Sequence, residues 1–264
     1  MTLTATLAHA ESRQINSTDF SVFQGIDVVV LGEVHDNPAH HAYQAAAVAA
    51  IQPKALVFEM ITNGQALRIR PEHLQDEATL ERVLNWGESG WPDFAMYYPV
   101  FTATDEPVIF GGAVDRDLVR QAVLDGAAVV FGASADMFNL NNNLDDAEQS
   151  LREAGQIASH CDALPEAMLG GMVEAQRLRD ASMARAVVAA LAETGGPVVL
   201  ITGNGHARTD WGVPRDLAVA MPDLTLVSVA QFEESPRGAV PYDFWLKTAP
   251  HERGDPCEGF AISK

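Results

Sequence analysis

Short β-branched apolar runs alternate along this chain with alanine-rich stretches of helical length, and that alternation constrains the fold more than any other feature. The runs are IDVVVL (26–31), ALVFEM (55–60), PVIFGG (107–112), PVVLITG (197–203) and LTLVSVAQF (224–232). Each is nearly continuous in apolar character instead of alternating with polar residues. This is the pattern of strands covered on both faces, as in a parallel sheet. Between them, NPAHHAYQAAAVAAI predicts a helix with Asn37 as N-cap and Pro38 at the first helical position. DRDLVRQAVLDG predicts a second helix, with Asp115 as its cap. A third, long helix ends in the glycines of ETGG. The expected fold is therefore α/β, with a mostly parallel sheet and helices on both faces. One α/β domain over residues 1–264 is expected, carrying two helical insertions. The first, at about 62–106, is aromatic-rich and holds Trp86, Trp91, Tyr97 and Tyr98; the second, at 134–164, is more polar.

Composition narrows the function. Apolar residues make up 47% of the 264, enough for a full core. A net charge of −19 argues against nucleic acid as partner, because phosphate binding needs a basic face. It equally disfavours an anionic membrane surface. No run approaches the roughly 18 apolar residues of a membrane span. The two cysteines, Cys161 and Cys257, form no CxxC, and the sequence does not decide whether they pair. MTLTATLAHAE lacks the basic start and apolar stretch of a secretory signal, although Ala8-His9-Ala10 fits a cleavage site. A trimmed start would make the protein periplasmic, a genuine one cytoplasmic.

In open α/β sheets ligands bind beyond the carboxyl ends of the strands. Here those ends carry Glu33, His35 and Asp36, then Glu59, then Asp115, then Asn204 and His206. GEVH and GNGH each set a histidine just after a glycine-bearing turn that closes a buried strand, so His35 and His206 are expected to share one site. His40 and His41 fall in the first turn of the helix opened by Asn37. The positive end of the helix dipole favours a neutral, ligating imidazole there, and about 100° between neighbours lets one of the two face the crevice. A divalent metal held by Glu33, His35, His41 and His206 is chemically reasonable, although HExxH is absent. No GxSxG occurs, so a serine nucleophile is unsupported. In the long helix, Gln176, Asp180 and Met183 fall at spacings of four and three. Asp180 is expected either to pair with Arg177 or Arg179, or to orient a motif histidine, with Gln176 beside it.

LGEVHDNPAHHAYQ, the FEM ending at Met60, WPDFAMYYPVF, AQRLRDASMA and ITGNGHARTDWGVP together resemble the ChaN-like family of haem-binding proteins. They run in order from residue 31 to residue 214, about two thirds of the chain. The family is an α/β fold related in outline to Glu/His-motif hydrolases such as the erythromycin-esterase-like and Tiki-like proteins. The resemblance implies haem or iron acquisition, with a pair of stacked haems between two subunits of a homodimer. It also implies iron held by a tyrosine assisted by a histidine. Tyr97 and Tyr98 are the first candidates, with Tyr43 and Tyr242 open. His35, His40, His41, Asn204 and His206 are expected near the haem, and Arg208 on its propionates. Family members are often lipoproteins, yet no cysteine stands near this chain's start. The competing expectation is a metal-dependent hydrolase with Glu33, His35, Glu59 and His206 as catalytic groups and Glu33 or Glu59 as general base. A catalytically inactive interaction module is a third.

Overall fold

A computed structural model describes residues 12–255, 257 and 258. Its centre is one seven-stranded sheet, every strand parallel to its neighbours, in the order β1-β7-β6-β2-β5-β3-β4. The five strands legible in the sequence are β2 (Val28–Glu33), β3 (Ala55–Thr62), β4 (Val108–Ala113), β5 (Val198–Gly203) and β6 (Leu226–Phe232). Two short strands, β1 (Arg13–Gln14) and β7 (Phe244–Lys247), extend the β6 edge. β2 runs two residues further than the apolar pattern indicates, so Glu33 is itself a strand residue, paired in register with Gly203.

Successive residues of a strand face opposite sides of the sheet, and the two sides are separately packed. Val29, Leu31, Leu56, Phe58, Val199 and Ile201 face α1 (Pro38–Ile51), α3 (Glu77–Leu84) and α4 (Phe94–Phe101), where Phe58 stacks on Phe101 at 3.8 Å. On that side α2 (Asn63–Ala66) follows directly from β3 under a Thr62 cap. Val28, Val30, Val57, Val198 and Leu200 face α8 (Leu169–Thr194), α6 (Ala127–Phe131) and α9 (Val213–Ala220). Between these elements in the chain come α5 (Arg116–Asp125) and α7 (Asp146–Ser159). No described helix is long and apolar enough to cross a membrane.

Local chemistry sets the helix ends. Asn37 Oδ1 accepts the Ala39 amide at 2.9 Å and Pro38 follows, fixing where α1 begins. Gly195, at φ 73°, ends α8 in the left-handed conformation that glycine adopts without a Cβ clash. Asp115 occupies the cap position of α5, but its side chain makes no capping hydrogen bond; its backbone carbonyl accepts Val119 instead. Cys161, just past α7, is bonded to Cys257 across 96 residues.

The connections decide where a ligand can sit. The chain leaves β2 through α1 and skips over β5 to β3; it leaves β5 through α9 and skips over β2 to β6. The two crossovers depart in opposite directions from neighbouring strands and lie on opposite faces. A crevice therefore opens beyond the ends of β2 and β5, at the topological switch point. β3 is irregular where it reaches this level, its register with β4 shifting between Phe58 and Thr62. A Cβ on Gly111 would lie 2.2 Å from Thr62 backbone atoms, so only glycine admits this shift, which spans Glu59.

Candidate functional site at the ends of β2, β3 and β5

Glu33 closes β2 and is 2% exposed. Its Oε1 accepts two hydrogen bonds, from the Tyr97 hydroxyl at 2.8 Å and from His35 Nδ1 at 2.7 Å. Its Oε2 lies 3.3 Å from His41 Nδ1, at an angle outside hydrogen-bond geometry, so neither atom is bonded. His41 Nε2 donates to the His35 carbonyl at 2.8 Å and so braces the GEVH turn from α1. A carboxylate only accepts, so the His35 proton resides on Nδ1 and Nε2 is left for the cleft. The ring leans on Trp91, with 4.7 Å between centroids. Its other neighbour is backbone: a Cβ on Gly203 would stand 2.8 Å from His35 Nε2. This close approach explains the glycine before Asn204.

Glu59 and His206 meet across the same opening. Glu59 Oε2 accepts from the Thr202 hydroxyl and the Gly203 amide, both at 2.7 Å. Its Oε1 is 4.0 Å from His35 Nε2 and 3.6 Å from His206 Nε2. Both imidazoles thus converge on one carboxylate oxygen. Behind His206, Asp180 on α8 accepts from Nδ1 at 2.6 Å.

The charges follow from this packing. Burial works against a charged His206, but Glu59 and Asp180 on either side outweigh it and lift its pKa from 6.5 to about 9. Burial pushes the Glu59 carboxyl up, yet His206, His35, the Thr202 hydroxyl and the Gly203 amide together bring it below its ordinary range. Burial lifts Asp180 above the usual carboxylate range against the opposing charge of His206. For His35, burial again opposes charge, and the Glu33 hydrogen bond with the charges of Glu59 and Glu33 raises its pKa overall. Burial and the neighbouring Glu33 keep the Tyr97 hydroxyl protonated.

Two cleft lobes share this centre. One, of about 520 Å³, lies between the β5 turn and α7–α8 and is walled by Arg152, Arg208 and Trp211. The other, of about 600 Å³, lies between α8, the start of α5 and the Trp91 loop. His35, Glu59, Gln176 and His206 line both. Each volume falls in the range of small-molecule sites.

The remaining expected residues are distributed unevenly. His40 is buried away from the cleft. Its Nδ1 accepts the Val34 amide and its Nε2 meets Thr248, both at 2.8 Å, and burial depresses its pKa to about 4. Asn204 ties the end of β5 to β6 through both the amide and carbonyl of Gln231. Arg208 lines the first lobe, with its guanidinium paired to Asp210 at 2.7 Å and stacked on Trp211 at 3.7 Å. Asp180 is bonded to His206, while Arg177 pairs with Glu174 and caps carbonyls near Asn139. Among the described residues no group of three or more His, Cys, Asp or Glu is arranged to hold a metal. In the quartet Glu33, His35, His41 and His206, His35 Nδ1 and His41 Nε2 already serve Glu33 and the His35 carbonyl, and His206 Nδ1 serves Asp180. Thr202, Trp91 and Trp211 lie inside the matching motifs ITGNGHARTDWGVP and WPDFAMYYPVF, but nothing in the sequence assigns them a place in the cleft. Arg152 falls in no motif and reaches the cleft only through the packing of α7.

Of the residue types that ligate haem iron, histidine lines the cleft and tyrosine does not. Tyr97 is fully buried with its hydroxyl on Glu33, and Tyr98 donates to the Leu74 carbonyl in another part of the surface. Tyr242 donates to the Asn204 carbonyl, and Tyr43 is buried against Phe20. None of the four tyrosine hydroxyls borders either lobe. His35, with a 32% exposed side chain and its Nε2 uncommitted, is a suitable axial ligand type.

Similarity to known proteins agrees with this architecture. No curated protein matches the sequence. The fold resembles that of ChaN of Campylobacter jejuni, a structure of cofacial haem binding, with a TM-score of 0.62 and 18% identity over 84% of this chain and 88% of that one. A more distant likeness, to the type III effector HopBA1, has a TM-score of 0.46 and 12% identity over 85% of this chain and 88% of that one, and carries no argument. A family model described as haem-binding uptake, Tiki superfamily, ChaN matches residues 21–217. That match spans most of the chain and includes every residue of the cleft centre, and the chain belongs to this ChaN-like haem-binding family.

Proposed function

We propose that the protein binds haem in the two-lobed cleft, with His35 Nε2 as the protein ligand to iron, in the service of haem or iron acquisition. The observation that carries this reading is the Glu33–His35 hydrogen bond. Metal-ligating histidines characteristically donate their other ring N–H to a carboxylate, which fixes the tautomer and raises the basicity of the ligating nitrogen. Trp91 supplies an aromatic wall beside that nitrogen, and Tyr97 holds Glu33 in place from below. The disulfide between Cys161 and Cys257 supports work in an oxidising compartment.

The test is a haem titration followed by the Soret band. His35→Ala is expected to weaken binding at least tenfold, about 1.4 kcal/mol, while its melting temperature stays near that of the parent. His73, His160 and His251 border neither lobe, and their Ala variants serve as controls. Equal losses in the controls would overturn the assignment.

Haem shared between two copies would stabilise a homodimer by mass action. Sedimentation of apo and haem-loaded protein reads this directly, and an unchanged monomer at saturating haem would remove the shared-haem arrangement.

A second reading, hydrolysis, draws on Glu59 Oε1 facing both imidazoles across the cleft, 3.6 Å from His206 Nε2 and 4.0 Å from His35 Nε2, which gathers a carboxylate and two histidines of acid/base type around one opening. Its weakness is also electrostatic. A general base works best with a pKa near the working pH, and the surroundings of Glu59 lower its carboxyl below the ordinary range. Turnover of ester substrates by the apo protein, abolished in Glu59→Gln, would favour this reading over the first.

A further inference from the structure

Arg179 is the unusual cation of the cleft. It stands on α8 between Gln176 and Met183, at spacings of three and four, and all three line the 600 Å³ lobe. The other arginines around the centre are committed: Arg152 and Arg215 to Glu148, Arg177 to Glu174, Arg208 to Asp210, and Arg253 to Asp36 and Glu233. Arg116, on the rim of the same lobe, donates to the Ser89 carbonyl at 2.7 Å and so holds the Trp91 loop. Arg179 makes no hydrogen bond or ion pair among the described residues, although its charge is felt at His206. In a chain with 36 acidic and 17 basic side chains, a half-buried guanidinium left unpaired beside a cleft is poised for a partner from outside.

We infer that Arg179 is the anchor for a carboxylate of the bound ligand, with the ligand's planar body lying toward Trp91 and His35. A guanidinium is suited to bidentate recognition of carboxylates and loses little hydration on pairing. This rests on the haem reading and deepens it. Arg208, whose charge is neutralised by Asp210, is the weaker partner for a propionate, and the lobe containing Arg179 takes that role.

The test compares haem with haem dimethyl ester, which lacks the free carboxylates, against the full-length parent, Arg179→Met and Arg179→Lys. The parent is expected to bind haem about tenfold more tightly than the ester. Arg179→Met should lose that preference by weakening haem alone, and Arg179→Lys should restore part of it. Because Arg179 makes no hydrogen bond or ion pair among the described residues, its variants should melt with the parent. If Arg179→Met weakens haem and ester equally, or keeps the parent's preference, the carboxylate assignment is overturned while haem binding stands. If the parent binds neither compound, the haem reading itself has failed and this assignment falls with it, a result distinct from the first.

Discussion

Raising the pH from near neutral into the alkaline range should destabilise this protein, chiefly at His206, and the structure sets both the window and the size. His206 is flanked by Asp180 at 2.6 Å and Glu59 at 3.6 Å, which lift its pKa from 6.5 to about 9. A group whose folded pKa lies above its unfolded value stabilises the fold fully below the unfolded pKa and loses that contribution as the pH rises through the folded one. The window therefore runs from about pH 6.5 to pH 9. With about 1.36 kcal/mol per pKa unit, the loss across it is roughly 3 kcal/mol. Urea unfolding at half-unit steps from pH 6 to pH 9.5 measures it. Asp180→Asn removes the shorter of the two charged contacts, so its decline over the same window should shrink by about 1.5–3 kcal/mol, the worth of a hydrogen bond to a charged group. The difference between the two curves isolates His206 from His35, whose pKa is also raised. Parallel curves for parent and Asp180→Asn would refute the placement of charge on His206.

Three further outcomes are expected. Replacing both cysteines by serine frees a loop of 96 residues, which on chain entropy should cost about 4–5 kcal/mol; urea midpoints of oxidised parent and double variant check this. Gly203→Ala places a methyl 2.8 Å from His35 Nε2, so haem affinity should fall at least tenfold, with the circular dichroism of the sheet retained. Stability should also fall on the acid side of pH 6.5, because His40 is buried with its pKa near 4 and must take up a proton to unfold; His40→Asn should flatten that limb.

The core of the fold was legible because strands covered on both faces must be apolar throughout, and all five such runs are strands. β1 and β7 were not, being two and four residues long and paired at an edge where no continuous apolar run is required. The convergence of Glu33, His35, Glu59 and His206 was legible from polar residues at the carboxyl ends of apolar strands, although Gly32 and Gly203 turn out to be strand residues and not turn residues. The roles of individual side chains were not, because they depend on which way a ring turns. His40 and His41 are neighbours on α1, yet one caps the Val34 amide and the other braces the His35 carbonyl. The family resemblance makes Tyr97 one of two first candidates for an iron ligand; its hydroxyl is instead held by a carboxylate 64 residues earlier in the chain. Pairing of Asp180 with His206 in place of an arginine is likewise a tertiary fact, 26 residues apart. The disulfide joins cysteines with no spacing signature at all.

The position of β5 in the sheet has a consequence for biosynthesis. β2 and β3 are consecutive in the chain but never touch as strands, because β5, made some 140 residues after β3 begins, lies between them. Thr202, the Gly203 amide and His206, which compensate the buried Glu59, all arrive with that late strand or the turn after it. A nascent chain that has emerged only as far as β4 therefore carries Glu33, His35 and Glu59 with a gap where their counterparts belong. It can neither neutralise the Glu59 carboxylate nor close the cleft. Insertion of β5 is a non-local step of the kind that slows folding, and it is the same step that creates the site. Competence to hold a ligand thus reports completion of the fold, and a cell releasing this chain early would release it without a binding centre.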